Sequence, residues 1–236
     1  MTDHPTPKPE DQLWLELAPM SPEAPRRLLV FLHGAGSSPE AFVPVALAWQ
    51  LKFPGAKAAL LQGLQARADG VLHDWFDPRT IAAQRSALAE AAAGAVAQRI
   101  VALQAANGVD AARTVLIGFS QGATMALETV RAYPGLAAIV VGHATRLGRP
   151  IRRDERLDGI AVHLLHGEFD SQVPVEHAQQ AQRGLRAAGA EVTLDLVADS
   201  AHGIDQQMII VGTTRVMQTV FRGRRRPSDK DAPTLH

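Results

Sequence analysis

Short apolar runs recur along the chain and alternate with stretches whose apolar residues fall at helical spacing. Leu28 to Leu32 reads LLVFL, and Ala58 to Leu61, Thr114 to Ile117, Ala137 to Val141 and Ile160 to Leu165 are compact runs of the same kind. Such runs predict strands buried on both faces. Glu191 to Val197 alternates instead, with Val192, Leu194 and Leu196 on one side, and predicts an edge strand. Leu13 to Leu17 also alternates and is expected to be an antiparallel first strand.

Helical patterns fill the gaps. The longest is expected over Pro78 to Ala106, with Ile81, Leu88, Ala92, Ala95 and Leu103 on its apolar side and Asn107-Gly108 as a stop signal. Further helices are expected after Ser38, Ser120, Pro174 and Gly203. Strands alternating with helices imply an α/β fold, a mostly parallel sheet with helices on both faces.

Composition narrows the partners more than the fold. A length of 236 residues suits one α/β domain with a substantial core. Basic and acidic residues balance at 24 each, so no overall field favours nucleic acid or an anionic surface. No apolar run approaches the roughly 18 to 20 residues that span a bilayer, and stable membrane insertion is not expected. A homodimer is allowed. The absence of cysteine excludes disulfides, thiolate zinc sites and a thiol nucleophile. Met1 to Gln12 is polar, carries Pro5, Pro7 and Pro9, and lacks the pattern of a signal peptide, which makes the cytoplasm the default location. Residues 1–11 and 223–236 are expected to be disordered tails around a single domain, 12–222, because dense charge and few apolar groups offset little ordering entropy. Arg224, Arg225 and Arg226 read as a solvated end rather than an anion-binding patch.

The chemistry begins at Gly118-Phe119-Ser120-Gln121-Gly122, a G-x-S-x-G pattern between the strand Thr114 to Ile117 and a helix over Ala123 to Tyr133. In that context the chain must turn sharply from strand to helix, so the serine hydroxyl projects from a strained backbone. Gly118 and Gly122 let strand and helix approach without a side-chain clash. The helix N-terminus behind Ser120 supplies partial positive charge where an oxyanion would form.

A serine nucleophile on an α/β-hydrolase fold needs an acid and then a histidine, each on a loop after a later strand. After Ile160 to Leu165 comes His166-Gly167-Glu168-Phe169-Asp170, with Asp170 a few residues past the strand end and Glu168 as the runner-up acid. Asp170 as a mere turn or helix cap is the plainer alternative. After Glu191 to Val197 comes Asp199-Ser200-Ala201-His202-Gly203. His202 alone of nine histidines lies downstream of Asp170 in such a loop, since His177 falls in a helix and His236 in a tail. His33-Gly34-Ala35-Gly36 after the first buried strand predicts an oxyanion hole made by the backbone N–H groups of Ala35 and Gln121, with His33 holding the loop. Histidines 33, 73, 143, 163, 166, 177 and 202 show no metal-ligand spacing, because His163 and His166 at a strand end point to opposite faces. No metal and no cofactor are expected.

These segments together resemble the phospholipase/carboxylesterase family, the bacterial relatives of acyl-protein thioesterases. The matching pieces run in order: Leu32-His33-Gly34-Ala35-Gly36, Trp75-Phe76-Asp77, Gly118 to Ala123, Gly167 to Pro174 and Ala201-His202-Gly203. The resemblance implies the same triad and hydrolysis of carboxylic esters and thioesters without metal or cofactor. Two places depart from the family's pattern: Ser37 stands where an acidic residue is often found, and Val141 to Pro150 has no clear counterpart. Trp75 either walls an acyl site or packs to fix its loop, and Phe119 is a second candidate for substrate contact. The substrate is then a small-molecule or acyl-chain ester or thioester. An acyltransferase with the same triad and a non-catalytic binding protein on this scaffold are the competing functions.

Overall fold

The computed structural model describes residues 14–77, 79 and 82–224. Seven strands form one sheet: β1 (Trp14–Leu17), β2 (Arg27–Leu32), β3 (Ala56–Leu61), β6 (Thr114–Phe119), β7 (Ile139–His143), β8 (Ala161–Gly167) and β9 (Glu191–Val197). Their order across the sheet is β1-β3-β2-β6-β7-β8-β9. Only β1 runs antiparallel, pairing Trp14 with Leu61 and Leu17 with Ala58. A short hairpin, β4 (Gln65–Ala66) and β5 (His73–Asp74), stands apart from this sheet. Among the described residues, each of the five α-helices, α1 (Pro39–Gln50), α2 (Ala82–Asn107), α3 (Gln121–Ala132), α4 (Val175–Ala187) and α5 (Gln206–Arg224), follows a strand or the hairpin.

The continuous apolar runs are explained by two cores, one on each face of the sheet. Along β2, Leu28, Val30 and Leu32 face a cluster built with α2, α3 and α4, while Leu29 and Phe31 face one built with α1 and α5. Central strands therefore need apolar residues at every position. The edge strand β9 alternates as expected at Val192 and Leu194, but Leu196, on the same face, is exposed at the strand's end, while Val197 on the other face joins the opposite core.

Some boundaries differ from the pattern in the sequence. β7 begins at Ile139 rather than Ala137, since the Ala138 N–H donates instead to the Ala111 carbonyl, in the turn that leads into β6. In α2 the buried stripe is Ala89, Ala92, Ala93, Val96, Ile100 and Leu103, whereas Leu88 is exposed. Small alanines, not the larger Leu88, face inward because α2 packs closely against α3. By length and composition α2 is apolar enough to cross a membrane, yet this stripe is committed to the core. Pro78 and Ile81 lie outside the described residues, as do the tails apart from Gly223 and Arg224, which continue α5.

Candidate active site

The parallel strands deliver their loops to one end of the sheet. β6 passes into α3 through Ser120, whose backbone sits at φ 52°, ψ −114°. That left-sided conformation is costly for a residue with a Cβ. It is held by the Ser120 N–H donating to the His143 carbonyl of β7 at 2.9 Å and by the start of α3, where Thr124 N–H donates to the Ser120 carbonyl. A Cβ at Gly122 would run into the Leu32 and His33 carbonyls, and one at Gly118 into the Ala123 backbone, so the turn admits only glycine there. The Ser120 hydroxyl makes no hydrogen bond within the described residues. Bonds of this kind often close only around a substrate.

Two strands further along, the β8 loop holds Asp170. Its Oδ1 accepts the Gln172 and Val173 N–H groups, both at 2.9 Å, and its Oδ2 lies 2.8 Å from His202 Nδ1. A proton on Nδ1 would be donated to that carboxylate. Burial is the largest influence on Asp170 and works against its charge. The Val173 N–H, His202 and the Gln172 N–H together outweigh it and hold the carboxyl below its ordinary range. Glu168, the other acid considered, is exposed at the loop surface.

His202 follows β9 and lies against Phe119, the residue before Ser120, with ring centroids 4.9 Å apart. Its loop is tied down twice: the Ser200 hydroxyl donates to Asp205 at the start of α5, and the Ser200 carbonyl accepts the Phe169 N–H of the acid loop at 2.8 Å. Phe119 thus touches the histidine, and also lies against Gly34.

Ala35 is exposed at the mouth of the loop after β2, and Gln121 is the first residue of α3, where a helix leaves N–H groups without internal acceptors. His33 is buried, donating from Nδ1 to the Gly34 carbonyl at 2.7 Å and accepting the Gly63 N–H on Nε2 at 3.1 Å. Burial lowers its pKa, so it braces the loop as a neutral ring. Trp75 is fully buried, and its indole N–H donates to the His33 carbonyl at 2.8 Å. Of its two expected roles, this geometry is that of a brace.

Several site contacts carry no local signature in the sequence. The Gln121 side chain accepts the Trp75 N–H at 2.8 Å and donates to the Phe76 carbonyl at 2.7 Å, across about 45 residues of chain. His166 is buried beneath the acid loop and donates to the Val173 carbonyl at 2.7 Å. Arg67 and Asp74, from the hairpin, reach the loop that carries Ala35. Among the described residues no three His, Cys, Asp or Glu side chains gather as a metal site. A cavity of about 370 Å³ lined by Arg26, Lys52, Phe53 and Phe221 contains none of these residues and opens by the first residues of the parallel strands, at the other end of the sheet.

A parallel sheet of this order, with a strained serine at a strand–helix turn and an Asp–His pair on the following loops, defines a carboxylesterase-type hydrolase of the α/β-hydrolase fold. The chain belongs to the phospholipase/carboxylesterase family, whose pattern it matches over residues 19–213. It is 32% identical over 202 residues to esterase YpfH of Escherichia coli (strain K12), covering 85% of this chain and 86% of that protein. Among solved structures it is similar to esterase PE8, with a TM-score of 0.79 at 27% identity over 86% of this chain and 97% of that one. The Bacillus cereus carboxylesterase shares the fold, with a TM-score of 0.72 at 17% identity over 87% of this chain and 93% of that one.

Proposed function

We propose that this carboxylesterase works through an acyl-enzyme on Ser120 and accepts both carboxylic esters and thioesters of small or acyl-chain acids. The observation that carries the reading is the strained Ser120 backbone at the head of α3, with a His202–Asp170 pair lying against the preceding residue, Phe119. Ser120 Oγ attacks the acyl carbonyl while His202 Nε2 takes its proton and Asp170 stabilises the resulting imidazolium. The Ala35 and Gln121 N–H groups receive the oxyanion. His202 then returns the proton to the departing alkoxide or thiolate, and in the second half it activates the water that releases the acid. Thiolates leave readily, so thioesters need no further catalytic group. Base, nucleophile and oxyanion donors are all supplied by protein groups, and the reaction as read needs no metal or cofactor.

The test is Ser120→Ala. Ester hydrolysis and covalent labelling by a fluorophosphonate should both be lost, by about three orders of magnitude or more, in a protein that melts like the parent. Labelling of the folded variant at the parental rate would remove Ser120 from the role.

A further inference from the structure

We propose that Asp74, held by Arg67, is a positioning residue for the reaction, setting the loop that presents the Ala35 oxyanion donor; this rests on the serine hydrolase reading above. The Gly36 N–H is shared between the Asp74 carboxylate, at 2.8 Å from Oδ1, and the His73 carbonyl at 3.0 Å. Ser37 and His73 add a two-way backbone bridge, with the His73 N–H donating to the Ser37 carbonyl at 2.8 Å. Peptide units are planar, so fixing the Gly36 N–H fixes the whole unit between Ala35 and Gly36. Only the two backbone torsions of Ala35 then separate that plane from the one carrying the Ala35 N–H.

Arg67 completes the device. Its Nε and Nη2 both donate to Asp74, each at 2.9 Å, in a side-on pair. The guanidinium lies over the Gly36 Cα, which stands at φ +62°, and a Cβ at that position would run into it. Glycine is favoured there by its torsion, and a side chain would in addition push the Arg67 guanidinium off its place. Asp74 is buried and Arg67 half-exposed. An unpaired carboxylate this near a developing oxyanion would oppose it. The arginine cancels that charge while leaving the carboxylate free to hold the loop.

Two readouts separate this role from simple structural support: kcat against KM on p-nitrophenyl butyrate, and affinity for a trifluoromethyl ketone, which forms the oxyanion on the enzyme. Asp74→Ala should lower kcat about tenfold to a hundredfold, less than loss of a whole oxyanion donor, with KM within about twofold and ketone affinity falling in parallel. Asp74→Asn keeps the acceptor for Gly36 and should lose less. Arg67→Gln leaves the carboxylate unpaired, so adding Asp74→Asn to it should recover part of its kcat. If Asp74→Ala does not fold, the comparison of Arg67→Gln with the double variant decides. Parental kcat and ketone affinity in Asp74→Ala would overturn the proposal, and so would a double variant slower than Arg67→Gln alone. Ser120→Ala assayed alongside keeps the outcomes apart: if it hydrolyses the ester as the parent does, the reading of Ser120 as nucleophile has failed.

Discussion

The Asp170 carboxylate divides its two oxygens between the chain and the histidine: Oδ1 takes the N–H groups of Gln172 and Val173, and Oδ2 faces His202 Nδ1 at 2.8 Å. One side chain thus shapes its own turn and orients the imidazole. Truncating Asp170 would remove both.

Asp170→Asn should leave the turn largely in place, because the amide oxygen can still accept the two backbone N–H groups. It should lower kcat by about 10³ to 10⁴, since the amide no longer favours the proton on Nδ1. Stability should respond too. The folded carboxyl titrates below its ordinary range, so its contribution is present above that range and is lost as pH falls through the folded value. The parent should therefore lose stability in acid more steeply than Asp170→Asn, by urea unfolding on both proteins. Unchanged kcat in the variant would move the acid role away from Asp170.

Trp75→Phe should act on stability rather than on substrate binding. The change strands the buried His33 carbonyl without its indole donor, at a cost of about 1 to 3 kcal/mol, read as a fall of several degrees in Tm. KM for short esters should stay near the parental value. A large KM change at unchanged Tm would instead make Trp75 a wall of the acyl site.

Two buried histidines set a pH dependence of folding. Burial pushes His143 down to about 4, against a pull in the other direction from Asp205. Burial and the charges of Arg215 and Arg222 push His163 to about 4, with Asp195 opposing them. Both are neutral in the folded protein and protonate near ~6.5 when unfolded. The unfolded chain then binds more protons between those values. Stability is full above about pH 6.5 and declines as pH falls toward 4, by up to about 1.4 kcal/mol per pH unit for each group. Urea midpoints at pH 7, 6 and 5 should show the decline. His143→Gln should flatten it, and a slope unchanged in that variant would exclude His143 as a titrating group.

A buried charge cluster beside α3 has no signature in the sequence. Arg131 and Glu128 on α3 meet Arg149 and Glu155 from the segment after β7, all largely buried. The same segment is tied to the elbow helix where the Thr124 hydroxyl donates to the Arg146 carbonyl at 2.9 Å. Nothing at Val141 to Pro150 announces this in the sequence, because these charges are buried only by virtue of partners some twenty positions away.

What the sequence determined by itself is what depends on near neighbours. Runs such as Leu28 to Leu32 must be strands covered on both faces. Gly118 to Gly122 between a strand and a helix must turn sharply, and the order Ser120, Asp170, His202 follows from the strands that precede each. The tertiary structure alone decided which stripe of α2 faces inward, that Trp75 is sealed beneath the His33 carbonyl, that the Gln121 side chain reaches Trp75 and Phe76, and that Arg67 and Asp74 reach the loop carrying Ala35. Those outcomes turn on packing and on hydrogen bonds between groups 38 to 46 residues apart. Their strength comes from exclusion of water, which a chain acquires only once its layers have closed.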